Sequence, residues 1–224
     1  RKAIALTVDR QELVDAVFAG RARVPRSYLV PPLWAAIDLG ALPRPDREQA
    51  RALLAASGYA AGNFGILQRG VERLILTIVI AEGSVARAEA AQIVAGQIAA
   101  VGIAAEVRQL PLREVEALIA AGAYDLAVVP ELARDPQLAT ERYLGHVGPW
   151  FDVLAAAARA APDQTEGRAL YAELQRLHLE AVASLPLYQY LSVDVAPRSL
   201  SGIRPTPHLS PLTWNASEWR FAPP

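Results

Sequence analysis

The sequence predicts an α/β fold, in which a mainly parallel sheet is flanked by helices. Between residues 73 and 130, three apolar segments rich in β-branched residues alternate with two segments of helical periodicity. Strands that are each separated by a single helix are typical of right-handed βαβ crossovers, which place neighbouring strands parallel. Ligands bind such sheets beyond the carboxyl ends of the strands. The loop that begins at Pro130 is therefore the first place where a functional site is expected.

The three strands are predicted near residues 74–80, 103–109 and 125–129. The first is a run of branched apolar residues without clean alternation, which is typical of a strand buried on both faces. The third ends at Pro130, which cannot donate a hydrogen bond to a sheet.

Helices are predicted near residues 85–101 and 112–121, between these strands. Apolar residues recur at spacings of four, four and three along one face of the first helix: Ala90, Val94, Ile98 and Val101. Gly102 and Gly122 stand where the two helices should end, because glycine readily adopts the left-handed conformation of a helix C-terminus.

Three further helices are predicted to begin at capping boxes, in which an aspartate is followed three residues later by Glu or Gln: Asp9, Asp46 and Asp163. Residues 60–70 are predicted to be a connection and residues 131–150 to be irregular. Leu185–Tyr190 is predicted to be extended and to lie in the sheet or at its rim. Tyr188 is expected near the carboxyl ends of the parallel strands, and the alternation sends Tyr188 and Tyr190 to one face.

Composition excludes several classes of function. The net charge is −1 and no basic stripe is present, so the chain is not predicted to bind nucleic acid. The absence of cysteine excludes disulfides, thiol catalysis and cysteine metal sites. The three histidines are not at metal-ligand spacing, so neither a metal nor a cofactor is expected.

No catalytic motif is found. The sequence contains no GxGxxG, Walker A, GxSxG or HExxH pattern, and no nucleophile–base pair is evident, so an enzyme is not expected. The chain has no methionine and opens on Arg1 inside a helical run. It is therefore expected to be a fragment of a longer protein.

Two groups of residues are candidates for a binding site. The loop after the third strand carries Glu131, Arg134 and Asp135, which either form a solvated turn or face a cleft. Tyr28 and Trp34 lie in a proline-rich segment too apolar for free coil. They either pin this segment to the protein body or form aromatic walls of a ligand pocket.

Five stretches in this order resemble the C-terminal part of family 5 extracellular solute-binding proteins, the oligopeptide-, dipeptide- and nickel-binding components of ABC importers. RKAIALTVDR is similar to the family's RKALAYAIDR, DREQARALLAASGY to DPEKAKALLAEAGY, and YDLAVV to YDLALxGW. Residues 90–107 and 168–190 resemble its helix-to-strand unit and its segment that ends in PVIPLYQ.

The resemblance implies a periplasmic-binding-protein-like lobe over residues 1–200. Residues 201–224 would be a returning segment that packs on an N-terminal lobe absent from this chain. The implied function is to bind a peptide-like or other small polar solute between the two lobes and to deliver it to an ABC permease. The implied location is extracytoplasmic, in the periplasm or as a cell-surface lipoprotein. Tyr188, which is expected near the carboxyl ends of the strands, is a further candidate ligand-binding residue.

One departure from the family concerns the ligand. Peptide-binding relatives follow the third strand with Gly-Trp-x-Ala-Asp, whose aspartate holds the ligand's amino group. An ungapped alignment places Glu131 at the aromatic position and Arg134 at the acidic one. A cation there would repel an amine, although Asp135 lies one residue further on. This loss motivates an alternative function, a transport-defective lobe that serves as a sensory or protein-interaction domain.

Overall fold

The computed structural model describes residues 1–40, 44–131, 135–191, 195–204 and 212–221. Its α-helices are α1 (Lys2–Thr7), α2 (Arg10–Phe18), α3 (Arg47–Ala56), α4 (Val85–Ala99), α5 (Leu112–Ala120), α6 (Pro136–Glu141), α7 (Pro149–Ala160) and α8 (Gln164–Ala181). Its strands are β1 (Ala22–Arg23), β2 (Ala60–Ala61), β3 (Leu67–Arg69), β4 (Glu72–Arg73), β5 (Ile75–Ala81), β6 (Ala104–Leu110), β7 (Leu126–Val128), β8 (Gln189–Tyr190), β9 (Leu200–Ser201) and β10 (Arg220–Phe221). Short 3-10 helices span Asn63–Gly65 and Leu212–Glu218.

The chain divides into two compact units, which are described separately. Unit 1 consists of Arg1–Arg26, Leu39–Glu131 and Ser184–Gln189. Unit 2 consists of Ser27–Asp38, Leu132–Ala183 and Tyr190–Pro224. The expected division into residues 1–200 and 201–224 concerns a partner lobe outside this chain and stays a prediction. Within the described ranges, none of the helices has the length and apolar content needed to cross a membrane.

A parallel sheet of three strands in the order β6-β5-β7 forms the centre of unit 1. Ile78 pairs with Val107 on one side and with Leu126 on the other. The predicted α/β fold is confirmed, and the observed strands begin one residue later than predicted. Helices α4 and α5 are the two crossovers, and they begin at the predicted residues.

Strand β5 is buried on both faces, as its unbroken apolar run predicts. Ile78 and Ile80 belong to a core cluster that includes Ala90 and Ile98 of α4. Val79 and Ala81 belong to a second cluster that is centred on Val115 of α5. Because neighbouring strand residues point to opposite faces, a strand covered by helices on both sides needs apolar residues at every position.

The predicted N-caps at Asp9, Asp46 and Asp163 are present, but the returning bond of a capping box is replaced at two of them: Asp9 N donates to Gln97 Oε1 and Asp46 N donates to Leu6 O. The Asp9 carboxylate accepts hydrogen bonds from the backbone N–H groups of Gln11 and Glu12. Asp46 and Asp163 cap α3 and α8 in the same way. These aspartates satisfy N–H groups that a helix start leaves without partners, so their role is structural.

Gln97 of α4 connects this helix to the start of α2. Its side-chain oxygen accepts a hydrogen bond from Asp9 N at 3.0 Å. Its amide nitrogen donates to Asp9 O at 3.2 Å and to the Glu12 carboxylate at 3.0 Å. The side chain is 5% exposed, so these groups have little access to water as a substitute partner.

Gln97→Leu should therefore lower the free energy of unfolding by about 2 kcal/mol, since groups around a buried side chain lose hydrogen bonds worth about 1 kcal/mol each. Urea unfolding followed by circular dichroism measures this difference. Gln109→Leu, at an exposed position of β6, is the matched control and should change stability by less than about 0.5 kcal/mol. Equal stabilities of the two variants would contradict the role assigned to Gln97.

Two predicted irregular segments contain regular structure. Residues 60–73 form a small antiparallel sheet in the order β2-β3-β4. Its strands have two or three residues and are linked by tight turns at Gly65 and Gly70, both with positive φ. Helix α6 lies within residues 131–150 and has only six residues. Elements this short carry no measurable hydrophobic periodicity, which is why the sequence pattern does not reveal them.

Unit 2 is mainly helical. Helices α7 and α8 pack around Phe151 and Leu174, which are both fully buried, and residues 28–36 complete this core. The buried face of α8 carries Tyr171, Leu174, Gln175 and His178, whereas Leu170 and Leu177 are only half-buried. Strands β9 and β10 pair antiparallel near the C-terminus.

Candidate functional site

The carboxyl end of the parallel sheet lies where the sequence predicts it. Strand β7 ends at Val128, and Glu131 follows it on the surface of unit 1. Arg134, the residue on which the charge-reversal argument depends, lies outside the described residues. At the opposite end of the strands, the Asp125 carboxylate accepts a hydrogen bond from Thr77 N at 2.8 Å. Asp125 therefore has the structural role that its position suggests.

Asp135 is the N-cap of α6. Its carboxylate accepts a hydrogen bond from Gln137 N at 2.7 Å, and Pro136 occupies the first position of the helix. A proline there loses no hydrogen bond, since the first N–H groups of a helix have no partner within it. This cap explains the Asp-Pro pair of the sequence without a ligand.

Tyr28 belongs to the core of unit 2. It is 4% exposed, and its hydroxyl lies 3.0 Å from Thr140 Oγ1. Its ring centroid lies 5.1 Å from that of Tyr143 and 4.7 Å from that of His178. The hydrogen bond to Thr140 brings Tyr28 against α6, the helix that Asp135 caps.

His178 lies between two aromatic rings. Its ring centroid is 4.4 Å from that of Tyr143, and the side chain is 2% exposed. Burial lowers the pKa of His178 from 6.5 to about 4, because the charged imidazolium loses its hydration. The neutral imidazole thus packs as an aromatic ring in the core of unit 2.

Trp34 and Tyr188 are half-buried in different units. The Trp34 ring packs edge-on against Tyr171 in unit 2, with 5.6 Å between centroids. Tyr188 packs against Phe18 in unit 1, with 4.6 Å between centroids. The side chain of Arg10 donates a hydrogen bond to Pro186 O at 3.2 Å, which holds the segment that carries Tyr188 on unit 1.

Tyr188 lies beside the central sheet of unit 1, not in it. Within Leu185–Tyr190 only Gln189–Tyr190 is a strand, and it pairs with Ala22–Arg23. The extended conformation is as predicted, whereas pairing with the parallel strands is not observed for this segment. Strand β8 pairs instead with β1, the short strand that follows α2.

Sequence reasoning did not single out two polar residues that α8 buries. Gln175 donates hydrogen bonds to Ala35 O at 3.0 Å and to Tyr171 O at 2.9 Å. Tyr171 is 4% exposed and packs edge-on against Trp34. Their spacing could have revealed them, because residues 171, 175 and 178 lie on the same helix face as Leu174 and place polar groups on that face. Among the described residues, no cluster of three His, Asp or Glu side chains could hold a metal ion.

Comparison with known proteins gives the family. The family model of bacterial extracellular solute-binding proteins, family 5 Middle, matches residues 1–143, which include the whole parallel sheet. The chain belongs to this family of solute-binding proteins. The expectation from the five sequence stretches is confirmed.

Individual relatives are longer than this chain. The chain is 28% identical to Di/tripeptide-binding protein 2 of Pseudomonas aeruginosa (strain UCBPP-PA14), over 92% of the chain and 40% of that protein. The oligopeptide-binding protein AppA from Bacillus subtilis, solved with a nonapeptide, is similar with a TM-score of 0.74 and 18% identity, over 99% of the chain and 47% of AppA. NikZ from Campylobacter jejuni, solved with Ni(L-His), is similar with a TM-score of 0.74 and 19% identity, over 98% of the chain and 48% of NikZ. The chain thus spans less than half of the length of these relatives.

Proposed function

We propose that this chain is the C-terminal ligand-binding lobe of an extracytoplasmic solute-binding protein that feeds an ABC importer. The observation that carries this proposal is the family match over residues 1–143, on a unit built around a parallel sheet. The function is binding and not catalysis. The relatives compared above are a di/tripeptide-binding protein, an oligopeptide-binding protein solved with a nonapeptide and NikZ solved with Ni(L-His), and the sequence offers no nucleophile–base pair.

A second lobe is part of the proposal. The chain covers 40% to 48% of the relatives compared above, so about half of a two-lobed protein would lie outside it. Residues 201–224 would return to that lobe. The protein would act in the periplasm or as a cell-surface lipoprotein, since the family is extracellular. Its partners would be the solute and an ABC permease.

The ligand class is proposed from charge. The structures of AppA and NikZ contain a peptide and a metal chelate in related folds, so the fold alone does not select the ligand. Arg134 stands where peptide-binding relatives carry an acid. A guanidinium favours a carboxylate, phosphate or polyol over a free amine, because its planar fork donates two hydrogen bonds to such oxygens.

The remaining candidate ligand-binding residues would lie around the guanidinium of Arg134. Glu131 and Asp135 are exposed and flank Arg134 in the sequence. Trp34 and Tyr188 are half-buried and could present a ring surface to a solute. Tyr28, at 4% exposed, has the least surface to offer and would contribute by holding its segment in place.

Isothermal titration of this chain with panels of peptides, sugars and small carboxylates should show no binding tighter than about millimolar. A two-lobed receptor buries roughly 70–90% of its ligand between the lobes, and one lobe provides only one wall. The longer protein that contains this chain should bind one solute of the panel at least about a hundredfold more tightly, a gain of ~2.7 kcal/mol.

Two results would contradict the proposal. Micromolar binding of a solute by this chain would identify it as a self-sufficient receptor. Tight binding of an ordinary oligopeptide through its free amine by the longer protein would leave transport intact but refute the charge argument for Arg134.

A further inference from the structure

Helix α7 of unit 2 exposes apolar side chains where a surface helix normally carries charges. Its sequence is PWFDVLAAAARA, in which only Asp152 and Arg159 are polar. The face that it buries in unit 2 consists of Phe151, Leu154 and Ala158. Trp150 is nevertheless 61% exposed and Val153 is 57% exposed. A helix that is apolar on all sides is normally buried on all sides, so the exposed side of α7 points to a partner.

Helix α8 of the same unit shows the usual pattern. Its buried residues share one face, and its exposed positions include Arg168, Arg176 and Glu180. The exposed apolar residues of α7, here called its outer face, are Pro149, Trp150, Val153, Ala156, Ala157 and Ala160. The two helices belong to one unit and differ in this respect, so an exposed apolar face is a particular property of α7.

The outer face has the spacing of a surface that packs on another helix. One row of residues along it, with intervals of four, three and four, consists of Pro149, Val153, Ala156 and Ala160. Asp152 and Arg159 are two helical turns apart and lie together on one edge of this row. Trp150 and Ala157 have the same separation and lie on the other edge. A second helix along the row would therefore lie between a charged edge and an apolar edge.

The outer face is complementary to itself when two copies pair in antiparallel directions. The N-terminal half of each helix then lies against the C-terminal half of the other, and each edge lies against the same edge of the other helix. Asp152 of each copy would face Arg159 of the other. Trp150 and Val153, in the N-terminal half, would lie on the alanines of the C-terminal half. A parallel pair would instead place Asp152 against Asp152 and Trp150 against Trp150.

The two charged side chains have hydrogen-bonding capacity left for this contact. Arg159 forms an ion pair with Glu141 at 3.7 Å, and its side chain is 55% exposed. Its guanidinium has five N–H donors, which is more than one carboxylate uses. Asp152 accepts the backbone N–H of Gly145 at 3.0 Å and 3.2 Å through its two oxygens, and a carboxylate has about four acceptor sites. A new ion pair between two copies therefore requires no existing bond to break.

We propose that the outer face of α7 binds the outer face of α7 in a second copy of this chain, across a twofold axis near Ala155. Each contact then occurs twice, as in other isologous interfaces. A surface built for an unrelated partner has no reason to match itself in both charge and side-chain size, which favours a second copy over the second lobe. A pair of twelve-residue helices buries less than the roughly 1,600 Å² of a standard interface, so the dimer should be weak.

Sedimentation equilibrium of the full chain between about 5 and 500 µM should show monomers and dimers with a Kd of about 10–100 µM. Val153→Glu should weaken the dimer at least about tenfold, because it places two carboxylates in the apolar row. Val85→Glu is the matched control, since Val85 is a 76% exposed valine of α4 in unit 1. This control should dimerise like the unmodified chain. Circular dichroism and urea unfolding check that both variants keep the fold, as expected for changes at exposed positions.

Charge reversal tests the antiparallel orientation. Asp152→Arg and Arg159→Asp should each weaken self-association about fivefold, because both ion pairs between the copies then join like charges. An equimolar mixture of the two variants should recover the dimer, since the cations of one variant face the carboxylates of the other. Recovery in the mixture cannot come from a change of fold, because each variant is the same chain alone and in the mixture.

The proposal is overturned if the chain stays monomeric at about 500 µM, five times the weakest Kd expected, or if Val153→Glu dimerises as well as Val85→Glu. A mixture of the charge variants that associates no more tightly than either variant alone would refute the antiparallel pairing. A monomeric chain, together with a loss of stability from Val153→Glu in the longer protein, would place the second lobe on this face instead. None of these results depends on a solute or on transport, so the proposed function would stand or fall separately.

Discussion

Acidification through the range between pH 6.5 and about 4 should lower the free energy of unfolding by about 3 kcal/mol through His178 alone, since one pKa unit corresponds to about 1.4 kcal/mol. Above pH 6.5 the imidazole is neutral in both the folded and the unfolded chain. Below it, the unfolded chain binds a proton that the buried ring does not accept until about pH 4. Stability is therefore full above pH 6.5 and falls as the pH approaches 4.

Urea unfolding at several pH values between about 7 and 4 measures this loss, and variants separate it from the titration of carboxylates. His178→Phe keeps an aromatic ring between Tyr28 and Tyr143 but cannot bind a proton. Its stability should fall about 3 kcal/mol less over the same range. His146→Gln, which replaces an exposed histidine, should behave like the unmodified chain. If the free energy of unfolding falls equally in all three proteins over this pH range, His178 is already protonated in the folded state, and the prediction is wrong.

The central sheet could be predicted because its signals are local and redundant. Strand β5 is apolar at successive positions, α4 repeats apolar residues at helical spacing, and Gly102 and Gly122 mark both helix ends. Each signal depends on a neighbourhood of a few residues, and all of them indicate the same topology. A fold can be predicted from one sequence when independent local signals agree in this way.

The candidate site was less predictable, because side-chain roles depend on contacts distant in sequence. Tyr28 lies 112 residues from the Thr140 hydroxyl that it meets. Its two alternative roles, packing and ligand contact, predict the same residue type in the same segment. Asp135 is the opposite case, since the Asp-Pro pair and the residues after it already fit a helix cap.

Gly102→Ala should destabilise unit 1 by about 2–4 kcal/mol, the sum of a backbone term of about 1–2 kcal/mol and an overpacking term of similar size. The backbone term arises because Gly102 has φ of +89°, a conformation that is unfavourable for residues with a Cβ atom. The packing term arises because that Cβ would lie 2.6 Å from Leu67 Cγ and 3.3 Å from Gly65 O.

Leu67 cannot easily move away from the new methyl group. Its backbone N–H donates a hydrogen bond to Gly102 O at 2.8 Å, and its own carbonyl accepts one from Leu74 N at 2.7 Å. Strand β3, which contains Leu67, is further paired with β2 and β4. A shift of Leu67 would therefore disturb the small antiparallel sheet as well as the end of α4.

Gly122→Ala is the matched control for this position. Gly122 also follows a crossover helix and has φ of +63°, but an added Cβ would meet no atom within 4 Å. This variant should lose only the backbone term, about 1–2 kcal/mol. Urea unfolding of both variants at neutral pH gives the difference, which isolates the contact between the end of α4 and the hairpin at β3. If both variants lose the same free energy of unfolding, β3 moves away from the methyl group at little cost. The small antiparallel sheet would then pack only weakly against the parallel sheet.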